Sequence, residues 1–359
     1  MFEFNSYIIT LILFNLVISQ MIVYVWKSQI YLKLGLKQYQ AIQRIHEQET
    51  PRLGGLVYII SLIIFAFSFK ENEASSMLKT ALISLAPVFL IALKEDLFHN
   101  TKPKNRFIAL IFSACLFFLI YSGPLPDLHD IPLVTKLLSF KIGIFIVLIL
   151  GIITAANGMN LIDGVHGLCG FSALAILGAL SFLAHTTSDQ LIFELTFNLI
   201  LLFLPFIIFN YPCGKIFLGD LGAYSLGFLL SVITIIFFGR HPDLTPWLAV
   251  LILSYPLMEA SFSFTRRLLN QISVTKPDIA HMHLKLFYFL KRKKELKKIA
   301  NPLVAPLMIF IWLFPLLSIL IAYQKENFVF ISIGFFLFFY LFFWYLISTF
   351  QRKAFLSQR

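Results

Sequence analysis

Long apolar runs separated by short polar stretches cover almost the whole chain. About 20 mainly apolar residues are needed to cross a bilayer as a helix. Eleven segments fit that pattern, near 6–26, 53–69, 77–93, 107–121, 136–156, 166–184, 190–209, 216–238, 245–265, 302–323 and 327–349. The pattern predicts an all-α polytopic membrane protein of about 11 transmembrane helices. It is read as a single integral-membrane domain over 1–359. The first segment lacks a basic leading region and a small-residue cleavage site, so it reads as an anchor rather than a signal peptide. The 136–156 segment starts with Lys136 and Lys141, whose long stems can snorkel to the interface. No fixed-period repeat and no inverted repeat of hydropathy is visible. The longest polar stretch, 266–300, is too short for a domain and reads as a short amphipathic helix or arm beneath the membrane.

Composition narrows the class. The chain is 59% hydrophobic and 13% charged, with 41 Phe in 359 residues. Soluble domains are roughly 45–50% apolar and about 25% charged. A soluble globule, a disordered chain, collagen and a disulfide scaffold are all excluded. Cys115, Cys169 and Cys213 show no CxxC spacing and read as small buried hydrophobes or a cytoplasmic thiol.

The net charge of +11 would suggest nucleic acid in a soluble chain. In a membrane chain it asks instead which side holds the charge, and no nucleic-acid partner is expected. With alternate loops assigned to opposite faces, 23 Lys and Arg fall on the face shared with the C-terminus and 6 on the other. The positive-inside rule then places the N-terminus outside, in the periplasm, and the C-terminus in the cytoplasm. The candidate site is therefore expected on the cytoplasmic face of the membrane. The loops on that face lie near 27–53, 94–106, 157–165, 210–220 and 266–300.

Polar residues at membrane depth are costly and point to function. Five clusters stand out, all on the expected cytoplasmic face. The first is Thr50 to Gly55, containing Arg52 and preceded by Arg44 and His46; the plain alternative is a helix start with a snorkelling Arg. The second is Lys94-Glu95-Asp96. These acids close a helix, where the macrodipole disfavours anions, so a cation nearby is expected. The third is Asn157 to Leu168, with Asn157, Asn160, Asp163 and His166 at intervals of three and glycines that admit a ligand. A bland cytoplasmic loop would be basic, and this one has no Lys or Arg.

The fourth cluster is Phe217 to Tyr224, where Asp220 between glycines is either a helix cap or a metal ligand. The fifth is Asp278 to Lys285. There His281 and His283 alternate as on one side of an extended chain, which a helix would not allow. With basic neighbours the pair reads as an anion site; zinc lacks a third and fourth ligand. Asp96, Asp163 and Asp220 thus lie at three helix ends on one face. Hard oxygen ligands suit Mg2+, which is often bound by one or two carboxylates plus substrate phosphates. Carboxylates together with Arg, Lys and His fit phosphoryl transfer better than ion transport.

In order and spacing these clusters resemble the polyprenyl-phosphate N-acetylhexosamine-1-phosphate transferases, glycosyltransferase family 4, of the undecaprenyl-phosphate GlcNAc-1-phosphate type. Pro51 to Gly55 match a PRLGG-like motif and Glu95-Asp96 an Asp-Asp motif. Asn157, Asn160, Asp163, Gly164, Gly167 and Leu168 match NxxNxxDGxxGL, and Gly219 to Ala223 match GDxGS. His281 and His283 match an HxHH loop, and Pro256, Glu259, Arg266 and Arg267 resemble Pro-x-x-Asp followed by two arginines.

The resemblance implies transfer of a sugar-1-phosphate from a UDP-N-acetylhexosamine to undecaprenyl phosphate, releasing UMP. Such transfers start O-antigen lipopolysaccharide, teichoic acid and other cell-wall lipid intermediates. It implies Mg2+ at Asp220, with Mn2+ as the alternative ion, and catalytic roles for Asp96, Asp163 and Glu95. Asn157, Asn160, His166, Phe217, Arg52, Arg106, Arg266, His281, His283 and Lys285 would bind substrate, with Phe217 stacked on uracil. It also suggests a homodimer.

The chain departs from the family pattern at Glu95, His166, Ala223, Glu259, Leu284 and Lys285. A phospho-MurNAc-pentapeptide transferase is the alternative within the family, disfavoured by the short run of histidines. A transporter would carry polar breaks in both halves. A catalytically silent homologue is the third reading.

Overall fold

The computed structural model describes residues 6–30, 50–68, 73–128, 141–273, 278 and 280–356. The described residues are helical, with no strand among them. The first eight helices are α1 (Ser6–Lys27), α2 (Gly54–Ser68), α3 (Glu73–Phe98), α4 (Pro103–Ile120), α5 (Lys141–Ile162), α6 (Leu168–Thr186), α7 (Gln190–Asn210) and α8 (Gly219–Arg240). There follow α9 (Trp247–Ile252), α10 (Ser254–Leu269), α11 (Met282–Lys291), α12 (Ala300–Leu307), α13 (Ile309–Trp312), α14 (Phe314–Ala322) and α15 (Glu326–Leu356).

Each apolar segment finds helix, yet only eight helices among the described residues are long and apolar enough to cross a membrane: α1, α3 to α8 and α15. Three segments depart from a continuous span. α2 has 15 residues. The 245–265 segment divides between α9 and α10 at Leu253. The 302–323 segment is three short helices, with Pro306 in the first and Pro315 opening the third. A proline lacks the N–H and crowds the carbonyl four residues back, so helices break there. Pro87 inside α3 is accommodated: the Val88 N–H donates to Ser113 Oγ of α4 at 3.1 Å. Neighbouring hydroxyls serve this purpose in apolar surroundings.

α8 is the axis of the molecule. Every residue from Gly219 to Gly239 is buried, because α2, α3, α5 and α6 surround it. Being apolar on all sides, it suits that central place. α1 and α15 lie outermost, exposing rows such as Leu13, Val17, Phe338 and Phe342. α2 and α8 approach closely where Gly55 meets the backbone of Gly222. No side chain fits there, so the two helices can touch main chain to main chain. At the far end of α8, Arg240 binds Asp189 and Glu73, fastening the starts of α7 and α3.

Candidate active site

The N-terminus of α8 organises the site. Gly219 has φ +78°, a left-handed conformation that favours glycine, and its Cα faces the Arg52 carbonyl and the Asp96 carboxylate. The preceding strand-like segment is held by pairing with the start of α2. Phe217 N–H donates to Pro51 O, Gly54 N–H to Phe217 O and Gly55 N–H to Leu218 O, at 2.8–3.0 Å. Two of the motifs noted in the sequence therefore fold as one unit.

Three acids and two arginines meet here. Asp96, buried near the end of α3, accepts the N–H groups of Asp220 at 2.9 Å and Leu221 at 2.7 Å. It thus satisfies two donors that a helix leaves without partners at its start. Arg52 Nε lies 3.4 Å from Asp96 and its Nη2 2.5 Å from Asp220. Arg106, from α4, binds the other oxygen of Asp220. Asn160 Nδ2 donates to Asp220 at 3.3 Å. Asp163 follows the last turn of α5. Burial pushes its carboxyl up to about 6, against the opposing pull of Arg52 and the Gly219 N–H. Asn157 stands one turn before Asn160 on α5 and is half-buried.

Glu95 does not share this centre. Its carboxylate accepts the Thr101 N–H at 2.7 Å and secures the turn into α4. His166 lies beside Phe217, ring centroids 5.8 Å apart. Its Nδ1 contacts the Pro212 carbonyl at 2.7 Å, and its backbone N–H donates to Asn301. Burial lowers its pKa, with the Pro212 carbonyl acting in the opposite sense.

A second group packs below. His281 Nδ1 is 2.8 Å from Glu259. Asp278 gathers Arg266, Arg267 Nε at 3.3 Å and the Ala280 N–H at 2.9 Å. Burial would raise the Asp278 carboxyl, but the Ala280 N–H, His281 and Arg266 outweigh it and hold it far below the usual range. The expectation of an extended chain through His283 fails: His281 caps α11 and His283 lies in its first turn, yet their rings stack, 5.7 Å apart and 14° from parallel. Capping leaves His281 outside the helix, which is how alternate residues come to share a side. Burial holds the His283 pKa down to about 4. Lys285 turns to α15, reaching Ser348 Oγ at 2.5 Å and lying 3.9 Å over the Trp344 ring. Burial and the charge of Arg266 bring its pKa down to about 8.

The structure thus brings together Arg52, Asp96, Arg106, Asn160, Asp163 and Asp220, and separately Glu259, Arg266, Asp278, His281 and His283. Arg44 and His46 lie outside the described residues. Among the described residues no group of three or more His, Cys, Asp or Glu is arranged as a metal cage. Sequence reasoning missed two supports. Asn210 accepts the Gly167 N–H at 2.7 Å and donates to Ile216 O at 2.9 Å, joining the Asn-rich loop to the segment before α8. Asn301 holds the His166 backbone. An isolated Asn ending an apolar run was the available signal for the first.

The model of glycosyl transferase family 4 matches residues 78–238, which include Asp96, Asp163 and Asp220. The chain is 25% identical over 270 residues to a probable undecaprenyl-phosphate N-acetylglucosaminyl 1-phosphate transferase of Bacillus subtilis, covering 73% of this chain and 72% of that protein. It is 27% identical over 212 residues to a phospho-N-acetylmuramoyl-pentapeptide-transferase of Streptococcus pneumoniae, covering 55% of this chain and 61% of the relative. A namesake from Streptococcus thermophilus is 28% identical over 213 residues, with 54% and 60% covered.

Proposed function

We propose, from the match of residues 78–238 to the model of glycosyl transferase family 4, that this chain transfers the sugar-1-phosphate of a UDP-N-acetylhexosamine to undecaprenyl phosphate and releases UMP. The observation that carries the reading is the meeting of Arg52 and Arg106 on Asp220, beside Asp96 and Asp163, at the start of a buried helix. In this reading the chain is a transferase of the bacterial inner membrane. The excess of basic residues puts the site, and the C-terminus, on the cytoplasmic side.

The donor set fits a divalent ion. Asp220 and Asp163 supply hard carboxylate oxygen beside two guanidiniums that can take phosphate. Asp220, already the focus of the cations, would hold Mg2+ through hard carboxylate oxygen, with substrate phosphates completing the shell. When bound, the ion offsets phosphate charge that develops during transfer.

The chain's own residues do the rest. A lipid-phosphate oxygen forms a bond to the sugar-bearing phosphorus, and the bond from that phosphorus to the bridging oxygen breaks, leaving UMP. Arg52 and Arg106 orient the phosphate oxygens. Asp163, with its pKa near that of a phosphate monoester, receives a proton from the acceptor where one is present. Asp96 is a positioning residue, since both its oxygens serve α8. Phe217 offers a ring to the uracil, and His281 and His283 face sugar and phosphate.

The short histidine run favours an N-acetylhexosamine over the muramoyl-pentapeptide donor. The test is purified protein with undecaprenyl phosphate, Mg2+ and a panel of UDP-sugars, reading UMP. Release with an N-acetylhexosamine donor is expected; folded protein releasing none with any donor overturns the proposal.

A further inference from the structure

α15 is an apolar helix whose outer face carries Phe338, Phe342 and Tyr345, all exposed. Its inner face differs. Tyr340, Trp344 and Ser348 recur every four residues and so lie in one row. Trp344 and Ser348 hold the segment that carries the histidines, and Tyr340 holds Glu259, which binds His281. Tyr340 O–H donates to Glu259 Oε2 of α10 at 2.7 Å. Trp344 Nε1–H donates to the Ala280 carbonyl at 2.9 Å. Ser348 Oγ accepts from Lys285 of α11 at 2.5 Å.

Glu259 is 1% exposed and uses both oxygens: Oε2 for Tyr340, Oε1 for His281 Nδ1 at 2.8 Å. A carboxylate only accepts, so the His281 proton sits on Nδ1 and Nε2 is turned to the opposite edge, 3.7 Å from Asp278. His283 stacks on His281. It is 1% exposed and its Nδ1 has no hydrogen-bond partner among the described residues. Its Nε2 lies against Gly164, within 2.8 Å of where a Cβ would stand, next to Asp163. A contiguous line thus runs from the outermost helix to the acid centre: Tyr340, Glu259, His281, His283, Gly164.

We propose that Glu259 and Tyr340 are positioning residues for the nucleotide-sugar site, and that α15 is the element that fixes the imidazole pair. The inference rests on the reading that these histidines face the donor substrate. It assigns Glu259, a departure from the family's Asp, a task its extra methylene suits: reaching two donors on different elements. It also gives Lys285 a role in fastening α11 to α15.

The test is a double-mutant cycle of Tyr340→Phe and Glu259→Gln in the full chain, with UMP release and UDP binding both measured. Tyr340→Phe keeps the ring and removes one hydroxyl bond to a charged acceptor. The KM for UDP-GlcNAc is expected to rise about tenfold, with kcat within about twofold, since the arm binds ground and transition states alike. Glu259→Gln cannot accept from both donors and is expected to weaken UDP binding further. The double variant is expected to be no worse than Glu259→Gln, because the two act through one contact. Tyr345→Phe on the exposed face serves as the control and leaves KM unchanged.

A wild-type KM and UDP affinity in both single variants, or simple additivity, overturns the inference while leaving the transferase intact. Wild-type protein that neither binds UDP nor releases UMP overturns the functional reading, and this inference with it.

Discussion

Asp96 has the shape of a catalytic acid in the sequence and of a structural anchor in the fold, and removing it separates the two. Its carboxylate takes the Asp220 and Leu221 N–H groups at 2.9 and 2.7 Å and lies 3.4 Å from Arg52. Hydrogen bonds to a charged group contribute about 1.5–3 kcal/mol each, and an anion at a helix start adds about 0.3–1 kcal/mol. Asp96→Ala leaves both amides buried without an acceptor and should cost about 3–6 kcal/mol of stability. At the lower end of the usual 2–4 °C per kcal/mol, the melting temperature falls by about 6–12 °C. Asp96→Asn keeps one acceptor oxygen and should lose at least about half of that. Glu95→Ala, which gives up one part-buried bond to the Thr101 N–H, should cost about 1.5 kcal/mol, the low end of the range for a charged group. The assay is thermal unfolding in detergent followed by tryptophan fluorescence, with UMP release measured on the same samples. Both Asp96 variants should lose turnover, because Asp220 moves with the start of α8. An Asp96→Ala protein that melts with the wild type, yet is inactive, would refute the anchoring argument and return Asp96 to proton chemistry.

Three further outcomes follow from the same geometry. Asp220→Asn should abolish Mg2+-dependent turnover with expression intact, and wild-type rates would remove Asp220 from the ion's site. For Asp163 the folded pKa, about 6, lies above the usual 3.8, so the folded state holds the proton more tightly and its stability falls as pH rises from about 4 to 6. Asp163→Asn should therefore melt higher than wild type at pH 7.5 and by a smaller margin at pH 5, while losing activity; a margin independent of pH contradicts the burial argument. Gly55→Ala drives a methyl into the Gly222 backbone, which cannot swing aside, and should cost about 1–3 kcal/mol, read as a lowered melting temperature.

The apolar runs made the helices legible, since length and composition alone determine what can lie in a bilayer. They could not show where a run breaks. The divisions at Leu253 and along 300–322 depend on prolines and on packing against neighbours, and Pro87 shows that a proline need not break a helix when Ser113 waits beside it. The acids of the centre were legible because each interrupts an apolar chain at a helix end. The supports were not. Tyr340 lies 81 residues from Glu259, and nothing in α15 distinguishes its inner row from the aromatic residues around it until the fold places a carboxylate opposite.

The Glu95-Asp96 pair shows how a rule of geometry can correct a motif. Successive residues on an α-helix point about 100° apart. Two adjacent carboxylates on α3 therefore cannot both face one ion or one phosphate while the helix continues through them. The fold has the pair divided: Asp96 turns inward to α8 and Glu95 turns to the loop before α4. Only one position of the pair must then reach the centre, and a change of side-chain length at the other is tolerated there. Glu95 in place of an Asp is thus no argument for an inactive chain. The replacement falls on the carboxylate that holds a turn, and the acid that holds α8 is unchanged.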